Sequence, residues 1–372
     1  YYMHVLVTGG AGFIGSHTVD ALIEKGYDVI VLDNLQKPVH LKGKPTYLNP
    51  KAKYIWGDVR DKDIFKKALK DVEAVYHFAA YQDYFPDFST FFHINSVGTA
   101  LLYEIIVEKK FPIKKIILAS SQFVQGEGIY KSQNGNLYYP TRRSNKQLES
   151  GKWDFIEKNG ESLQWQWTNE SYANPQNQYA ISKYSQELMA MSFGEHYDIP
   201  SVALRYSIVQ GARQSFYNAY SGACRIFSLS YIQKKAPVLY EDGFMCRDFI
   251  NINDVVRANL LILENELANN EVFCIGGGKA YTIIEFVQTI ANIYDCRDLP
   301  PIVPGKYRFG DTRHACSDIS KIKSVGWEPK KNIKHSIEEY KDYLEEQLNI
   351  QDILEHATQQ MKKMNVVRQV KK

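Results

Sequence analysis

A glycine-rich stretch near the start of the chain, Thr8–His17 (TGGAGFIGSH), restricts the possible folds more than any other feature of the sequence. It follows the β-branched run His4–Thr8, which is typical of a buried strand, and it opens a segment with helical periodicity. In that context Gly9 permits a tight turn, Gly12 lets the backbone approach a pyrophosphate, and Gly15 lets the helix pack on the strand. The pyrophosphate then lies at the positive end of the helix dipole. The motif predicts a dinucleotide-binding βαβ unit, although a glycine triplet alone also occurs in ordinary loops.

Short apolar runs alternate with amphipathic stretches over about the first 200 residues. The runs are rich in β-branched or aromatic residues, and a helix-like stretch usually follows each one. This alternation predicts an α/β fold with a Rossmann-type, doubly wound parallel sheet. Ligands of such sheets bind beyond the carboxyl ends of the strands. The predicted strands are His4–Thr8, Asp28–Leu32, Tyr54–Trp56, Ala74–Phe78, Ile116–Ala119 and Ser201–Leu204.

An acidic residue at the end of the second predicted strand indicates which dinucleotide binds. Asp33 stands 18 residues after Gly15, where a carboxylate accepts hydrogen bonds from the adenosine ribose hydroxyls. The same carboxylate would repel a 2′-phosphate, so the sequence favours NAD over NADP. A turn residue at a strand end is the alternative interpretation of Asp33. Asp58, at the end of the next strand, is placed to reach the adenine.

Tyr179 and Lys183 are four residues apart, which places them on one face of a helix. A free tyrosine has a pKa of ~10, so its activation near neutral pH needs ~4 kcal/mol. One cation about 4 Å away in an effective dielectric of ~20 supplies about that much. A lysine ammonium together with a positive nicotinamide would therefore make Tyr179 a usable base. Ser121, after the strand Ile116–Ala119, would complete the set by bonding the substrate oxygen, and a strand-end cap is the alternative.

The patterning divides the chain into three parts. Residues 3–204 are predicted to form the NAD-binding Rossmann domain, with a polar insertion at about 126–177. Residues 205–345 are predicted to form mainly a smaller substrate-binding region, within which 246–275 returns to the Rossmann part. Residues 346–372 are predicted to form a C-terminal helix and tail.

Two segments outside the alternating pattern carry their own predictions. The insertion contains Trp153, Trp165 and Trp167, which favours an ordered segment covering the substrate or an interface over a disordered one. Near the end, Ile333–Met364 is predicted to pack as a terminal helix, and Arg368–Lys372 is predicted to fray. The apolar positions with helical spacing there are Ile337, Tyr340, Leu344 and Leu348.

Composition and spacing exclude several classes. A net charge of +3 gives no indication of nucleic-acid binding. The sequence contains no run of 18 apolar residues, so it predicts no transmembrane helix. The cysteines are too scattered for a zinc site, and their odd number without a leader suggests a reducing compartment. We therefore expect a cytoplasmic protein without a metal, a nucleic-acid partner or a membrane partner. The cysteines are Cys224, Cys246, Cys274, Cys296 and Cys316.

Together these residues resemble the extended short-chain dehydrogenase/reductase family, in particular its nucleotide-sugar epimerases. The resemblance covers about residues 3–345. Besides the glycine loop and the tyrosine–lysine pair, the motifs that carry it are Leu32–Asn34, Gly57–Asp61, His77–Ala80, Asn95, Arg247–Phe249 and Arg308–Asp311.

The resemblance implies NAD as cofactor, a nucleotide-diphosphate sugar (dTDP or UDP) as substrate, and a homodimer. Arg247 and Arg308 would hold the diphosphate. The cofactor contacts it implies are Gly9, Gly12, Phe13, Ile14, Gly15, Asp33, Asn34, Asp58, Val59, Phe78, Ala79, Ala80, Asn95, Tyr179, Lys183 and Tyr206. The substrate contacts it implies are Ser121, Gln122, Arg213, Asn218, Arg247, Arg308 and Asp311.

Within that family, Leu204–Ser215, Asn218–Gly222 and the insertion resemble the dTDP-L-rhamnose 4-epimerases. This implies epimerisation at C4 through a transient 4-keto sugar, with UDP-glucose/UDP-galactose epimerisation as the alternative. Ile208 occupies the stretch where galactose epimerases place a hydroxyl-binding amide, and a 6-deoxy sugar could pack its methyl group there. Gln82 stands where those enzymes often carry lysine.

Other activities on the same scaffold remain open at this point. A net NAD-dependent oxidoreductase would use cofactor stoichiometrically, and a non-catalytic NAD-binding sensor would need no catalytic residues. The presence of Ser121, Tyr179 and Lys183 together argues against the sensor. Phe123, close behind Ser121, cannot transfer protons, which argues against a dehydratase.

Overall fold

The computed structural model describes residues 3–218, 222–347, 349–363 and 367–371, without the side chains of 360–363. Its strands are two to seven residues long. In chain order they are β1 (His4–Thr8), β2 (Asp28–Asp33), β3 (Lys53–Trp56), β4 (Ala74–His77), β5 (Lys115–Ser121), β6 (Ile129–Lys131), β7 (Leu137–Tyr138), β8 (Gln164–Gln166), β9 (Ser201–Tyr206), β10 (Ile208–Gln210), β11 (Cys246–Asn251), β12 (Glu271–Ile275), β13 (Ala280–Thr282), β14 (Lys306–Arg308) and β15 (Val367–Gln369).

The α-helices flank these strands, and a π-helical turn at Phe92–Val97 joins two of them into one continuous helix. In chain order they are α1 (Phe13–Glu24), α2 (Lys62–Leu69), α3 (Phe88–Phe91), α4 (Gly98–Lys109), α5 (Asn145–Glu149), α6 (Gln178–His196), α7 (Ala223–Ile232), α8 (Ile252–Glu264), α9 (Ile283–Ile293), α10 (Ser320–Ser324), α11 (Ile333–Glu345) and α12 (Ile350–Lys363). Short 3₁₀ turns occur at Gln122–Gln125 and Glu266–Ala268.

Seven strands form the central sheet, in the spatial order β12-β9-β5-β4-β1-β2-β3, and every pairing is parallel. Val5 and Val7 of β1 face one helical layer, where they belong to the same buried cluster as Leu22 of α1 and Ile262 of α8. Leu6 faces the opposite layer. Burial on both faces explains the continuous apolar runs in the sequence. The predicted doubly wound Rossmann-type sheet is confirmed.

The strands extend further at their carboxyl ends than the apolar runs predict. Parallel pairing of β5 with β9 continues to Ser121 and Tyr206, beyond the predicted ends at Ala119 and Leu204. Polar residues at this edge therefore belong to the parallel ladder. The order of the sheet reverses between β1 and β4, and in sheets of this kind ligands bind at that point.

The insertion is an ordered unit of its own. Strands β7-β6-β8 form an antiparallel sheet, and α5 lies between β7 and β8 in the chain. Trp153 packs against Tyr307 of β14, with ring centroids 5.8 Å apart. The backbone of Thr168 pairs with that of Ser317. The insertion therefore packs against the C-terminal part of the chain.

The C-terminal part has a core distinct from the two layers of the central sheet. A small sheet, β10-β11-β13, packs with α7, α9, α11 and α12 around Phe249, Phe286 and Tyr340. Strand β12 leaves this part to form an edge of the central sheet beside β9. The segment predicted as one terminal helix forms two, α11 and α12, while Leu348 and Met364 lie outside the described residues.

The tail differs from its prediction. Residues Arg368–Lys372 were expected to fray, but β15 pairs antiparallel with β14, so that prediction is wrong over the described residues. Arg308 faces Val367 in this ladder, and Lys371 reaches Glu149 of α5 at 2.8 Å. A three-residue strand leaves too short a pattern to be recognised in a basic tail.

Among the described residues, one helix is long and apolar enough by composition to cross a membrane, the continuous helix Phe88–Lys109. Half of it is buried inside the protein, and a core helix passes the same test. Asn95 donates a hydrogen bond to Ser182 of α6 at 2.9 Å, which ties this helix to its neighbour.

Candidate active site

The glycine loop joins β1 to α1 at the switch point of the sheet. A Cβ atom on Gly15 would lie 2.2 Å from the Gly9 carbonyl oxygen, and one on Gly9 would lie 2.7 Å from the Ala79 nitrogen. No side chain larger than hydrogen fits at either position. Gly12 is the N-cap of α1, so no side chain caps the first amides of the helix, and the first turn contains no acidic residue. The N-terminus of α1 therefore fits an anionic pyrophosphate.

The carboxylate of Asp33 is oriented by the same loop. One oxygen accepts a hydrogen bond from the Ala11 amide at 3.0 Å, and the other accepts one from the Leu35 amide at 2.8 Å. Each carboxylate oxygen has a second lone pair that can accept from a ribose hydroxyl. Together with the glycine loop, this buried carboxylate fits NAD at the position that the sequence predicts.

The residues expected at the adenine end form a small polar group. The Asn34 amide donates to Asp58 at 2.9 Å, and the Arg60 guanidinium donates to the same carboxylate at 2.8 and 2.7 Å. Arg60 holds the pKa of Asp58 below its usual value. Val59 is buried in the core. Arg60 was not singled out from the sequence. Its position two residues after Asp58 could have indicated the ion pair.

The loop after β4 forms the floor of the site. The Thr8 hydroxyl accepts hydrogen bonds from the amides of Phe78 and Ala79, both at 3.1 Å, which fixes this loop to β1. Tyr206 packs edge-on against Phe78 at 6.3 Å, and its hydroxyl donates to Asn259 at 2.6 Å. Tyr206 therefore uses its hydroxyl within the core.

Asn95 also acts on this loop from beneath. Its oxygen accepts from the Tyr81 amide at 2.8 Å, and its nitrogen donates to the Tyr81 carbonyl at 3.1 Å and to Ser182. These contacts engage both ends of the amide with the protein. Asn95 therefore positions the loop against α6, and its contact with the cofactor stays a prediction.

The catalytic candidates meet where α6 crosses the carboxyl end of β5. Helix α6 begins after Asn177, whose side chain caps the Ala180 amide at 2.8 Å. Lys183 donates to the Ala119 carbonyl of β5 at 2.9 Å. The Ser121 hydroxyl hydrogen-bonds the Tyr179 phenol. The structure thus brings Ser121, Tyr179 and Lys183 together, as the sequence predicts.

Burial works against charge on both members of the pair. It raises the pKa of Tyr179 to about 12, while hydrogen bonds from Gln82 and Ser121 act in the opposite direction. It also lowers the pKa of Lys183 to about 7. The sequence argument assumed a fully charged ammonium beside the phenol. Burial outweighs the hydrogen bonds from Gln82 and Ser121, so activation of Tyr179 needs a further positive charge nearby.

Gln82 is a site residue that sequence reasoning did not include. Its amide nitrogen donates to the phenol oxygen of Tyr179, opposite Ser121. The sequence feature that could have identified Gln82 was its position, because galactose epimerases often carry lysine there. Two residues later, the Tyr84 hydroxyl accepts a hydrogen bond from Arg308 at 2.7 Å. One short loop therefore links the phenol to an arginine of the C-terminal part.

Arg308 is held between aromatic rings. Its guanidinium lies 4.7 Å from the ring centroid of Tyr84 and 4.9 Å from that of Tyr240. Asp311 lies 3.8 Å from it. A guanidinium fixed by stacking keeps a geometry suited to a diphosphate. Neither tyrosine was singled out from the sequence, because nothing local connects them to residue 308.

Arg247 is less exposed to a ligand than the sequence suggested. Its guanidinium donates to the carbonyls of Thr312 at 2.7 Å and Arg313 at 2.9 Å, and also to that of Cys246 at 2.9 Å. These bonds tie it to the segment that follows Arg308. Its direct contact with a diphosphate stays a prediction.

The remaining substrate candidates lie in different places. The amide nitrogen and the amide oxygen of the Gln122 side chain are both buried without a hydrogen-bond partner. Arg213 pairs with Asp20 of α1 at 2.8 Å, on the cofactor side. Ile208 packs against the core of the C-terminal part. Asn218 is buried, and residues 219–221 of its motif lie outside the described part of the chain.

The cysteines and the other residues able to bind metal ions are scattered through the described part of the chain. All five cysteines are free thiols. Within the described residues, no group of three or more His, Cys, Asp or Glu could hold a metal ion.

The parallel sheet carries a phosphate-binding turn at its switch point, and a tyrosine–lysine pair lies on a crossover helix. Together these features define an enzyme that binds a dinucleotide and oxidises a hydroxyl-bearing carbon. The profile of the NAD dependent epimerase/dehydratase family matches residues 5–146, and that of GDP-mannose 4,6 dehydratase matches residues 159–340. The chain belongs to the NAD-dependent epimerase/dehydratase family, in its extended short-chain dehydrogenase/reductase group.

Named relatives cover almost the whole chain. The dTDP-L-rhamnose 4-epimerase of Burkholderia thailandensis is 33% identical over 93% of this chain and 96% of its own length. A putative UDP-glucose 4-epimerase of Methanocaldococcus jannaschii is 34% identical over 90% of this chain and 95% of its own. The crystal structure of Thermotoga maritima UDP-glucose 4-epimerase with UDP-glucose is similar with a TM-score of 0.75 and 31% identity, covering 92% and 99% of the two chains.

Proposed function

We propose that this chain is an NAD-dependent nucleotide-sugar 4-epimerase that acts through a transient 4-keto sugar. The observation that carries the proposal is the contact of Tyr179 with Ser121 and Gln82. The family match and the named 4-epimerases agree with it.

The cofactor site divides between backbone and side chains. Gly9, Gly12 and Gly15 make room for the pyrophosphate, and Asp33 accepts from the ribose hydroxyls. NAD, when bound, supplies a hydride acceptor and then a hydride donor for C4 of the sugar. Because the hydride returns to the sugar, the enzyme needs no second redox substrate.

The side chains supply the proton transfer. Tyr179 takes the proton of the C4 hydroxyl as that carbon is oxidised, and it returns the proton after the hydride returns to the opposite face. Ser121 holds the sugar oxygen against the phenol. Gln82 donates a further hydrogen bond to the phenol, and Lys183 is held on the same helix by the Ala119 carbonyl.

The substrate is held at its diphosphate end. Arg308, placed between Tyr84 and Tyr240, is proposed as the main diphosphate ligand, with Asp311 and Arg247 beside it. An anchor remote from C4 leaves the sugar ring free to present either face to the same catalytic groups.

The sugar is proposed to be a 6-deoxyhexose on dTDP or UDP, with dTDP-L-rhamnose as first candidate. Support comes from the B. thailandensis relative and from Leu204–Ser215. Ile208 packs against the core of the C-terminal part, which does not strengthen the choice of a 6-deoxyhexose. UDP-glucose is the second candidate, because the M. jannaschii and T. maritima relatives are named for it.

A substrate panel tests this proposal. The purified protein is incubated without added cofactor with UDP-, dTDP-, CDP- and GDP-sugars, and products are identified by NMR. We expect C4 epimers, with kcat/KM for dTDP-L-rhamnose above that for UDP-glucose. The reverse order would contradict the 6-deoxyhexose assignment, and the absence of any epimer would contradict the function.

A homodimer and a cytoplasmic location also belong to the proposal. The homodimer is taken from the resemblance to the family. The five free thiols agree with a reducing compartment.

A further inference from the structure

Apart from Asn177, which caps α6, the insertion has no role in the chemistry proposed above, yet it makes long-range polar contacts with one short segment, residues 308–313. Arg143 of the insertion is buried, and its guanidinium donates to the Asp311 carbonyl at 2.9 Å. It also donates to Glu241 at 2.9 Å and to the Trp153 carbonyl at 3.1 Å. One guanidinium thus ties the insertion, the 241 loop and the turn after Arg308 together.

A second insertion residue holds the other end of the same segment. The carboxylate of Glu127 accepts a hydrogen bond from the Arg313 backbone amide at 2.9 Å. The side chain of Arg313 is fully buried and donates to Asp154 at 2.8 Å, to Glu241 at 3.0 Å and to Asp242 at 2.7 Å. The Arg313 guanidinium and the Glu241 carboxylate are both buried, so a shift of the segment would leave buried charges unpaired.

Both proposed diphosphate arginines depend on this segment. Arg308 begins it, and Arg247 donates to the carbonyls of Thr312 and Arg313. A shift of the segment would therefore move both guanidinium groups at once. Tyr179 and Ser121 lie on α6 and β5, to which Arg143 and Glu127 make no hydrogen bond that involves the described residues.

We propose that the insertion, residues 126–177, is a positioning element for the diphosphate end of the substrate. Arg143 and Glu127 clamp the 308–313 segment and so set the places of Arg247 and Arg308. This inference rests on the proposed function, because it takes these two arginines as ligands of a nucleoside diphosphate.

The first test is Arg143→Lys, which keeps the charge beside Glu241 but loses the planar fork that reaches the Asp311 carbonyl. The matched control is Arg142→Lys, since the neighbouring Arg142 is exposed. Calorimetry with dTDP and with UDP should show Kd about tenfold higher for Arg143→Lys. The KM of the nucleotide sugar should rise in parallel, with kcat, bound NAD and Tm unchanged.

The second test is the pair Glu127→Gln and Glu127→Leu. Burial raises the pKa of Glu127 to about 7, so a neutral amide is a close substitute near neutral pH. Glutamine keeps an acceptor for the Arg313 amide and should bind dTDP and UDP like the unchanged protein. Leucine removes the acceptor and should raise Kd about tenfold.

Three results would overturn the inference. One is an unchanged Kd in both Arg143→Lys and Glu127→Leu. Another is a loss in kcat with KM unchanged. The third is a loss of dTDP binding that comes with equal loss of bound NAD and a lower Tm, which would show general support of the fold.

The proposed function can fail separately. An unchanged protein that binds dTDP or UDP but epimerises no nucleotide sugar would contradict the function and leave the positioning role intact. An unchanged protein that binds neither nucleotide would overturn the positioning role.

Discussion

The cofactor side and the substrate side of the site are built in different ways. On the cofactor side, Gly9, Gly15 and Asp33 lie within one βαβ unit, and backbone amides do most of the orienting. On the substrate side, Arg308 is held by Tyr84, which is 224 residues away in the chain. The comparison teaches that the first side depends on local backbone geometry, and the second on side chains that meet only in the folded protein.

The catalytic pair stands between the two sides and gives the largest expected effect. Tyr179→Phe should lower kcat by ~10²–10⁴, because it removes the group that transfers the C4 proton. Binding of dTDP or UDP and the content of bound NAD should change little, because the proposed ligands of the diphosphate and of the pyrophosphate lie elsewhere. Steady-state kinetics and calorimetry check this, with Tyr184→Phe on the same helix as control. A variant that keeps most of its kcat would remove Tyr179 from the mechanism.

A change on the substrate side should leave the cofactor side intact. Arg308→Met removes a partly buried cation and should weaken binding of dTDP and UDP by about 10- to 100-fold, since a hydrogen bond to a charged group contributes ~1.5–3 kcal/mol. Bound NAD, measured after denaturation, should stay the same. Lys306→Met, an exposed position on the same strand, is the control. Unchanged affinity for both nucleotides would show that the diphosphate binds elsewhere.

A change on the cofactor side should have the converse effect. Asp33→Asn keeps one acceptor for the loop amides but loses the negative charge, so NAD should bind about tenfold more weakly. Affinity for dTDP and UDP should be retained. Asp28→Asn, at the exposed start of the same strand, is the control. If the purified protein carries NADP instead of NAD, the argument from Asp33 fails.

The smallest effect is expected at Gln82, where the two sides meet. Its hydrogen bond stabilises the phenolate form of Tyr179 and so lowers the pKa of the phenol. Gln82→Leu should therefore shift the acid limb of the kcat–pH profile to higher pH by about one unit. Activity lost at neutral pH should return as the pH rises. Gln82→Glu, which adds a negative charge, should shift the limb further in the same direction. An unmoved limb in both variants would show that Gln82 does not act on the phenol.

The two sides also differ in how well the sequence predicts them. The glycine loop, Asp33 and the Tyr179–Lys183 pair follow from short spacings, because turns and helix faces fix where those residues lie. The parallel sheet follows from the alternation of strands and helices. These predictions rest on local geometry that no distant contact changes.

The rest depends on contacts that no spacing shows. Arg247 was predicted as a diphosphate ligand, and no spacing shows that its guanidinium is also bonded to backbone carbonyls 65 and 66 residues away. Burial of Tyr179 and Lys183 could not be judged from a helical pattern, so the sequence argument gave the lysine its full charge. The pairing of β15 with β14 was missed because a three-residue strand has no readable period.

The most direct test of the account is the number of sugar molecules converted per molecule of bound NAD. The purified protein, without added cofactor, is mixed with a large excess of dTDP-L-rhamnose or UDP-glucose, and the epimer is measured by NMR against NAD released by denaturation. The account predicts many turnovers for each bound NAD, with the NAD content unchanged at the end. Conversion that stops at one sugar per bound NAD, with NADH accumulating, would contradict it and identify a net oxidoreductase.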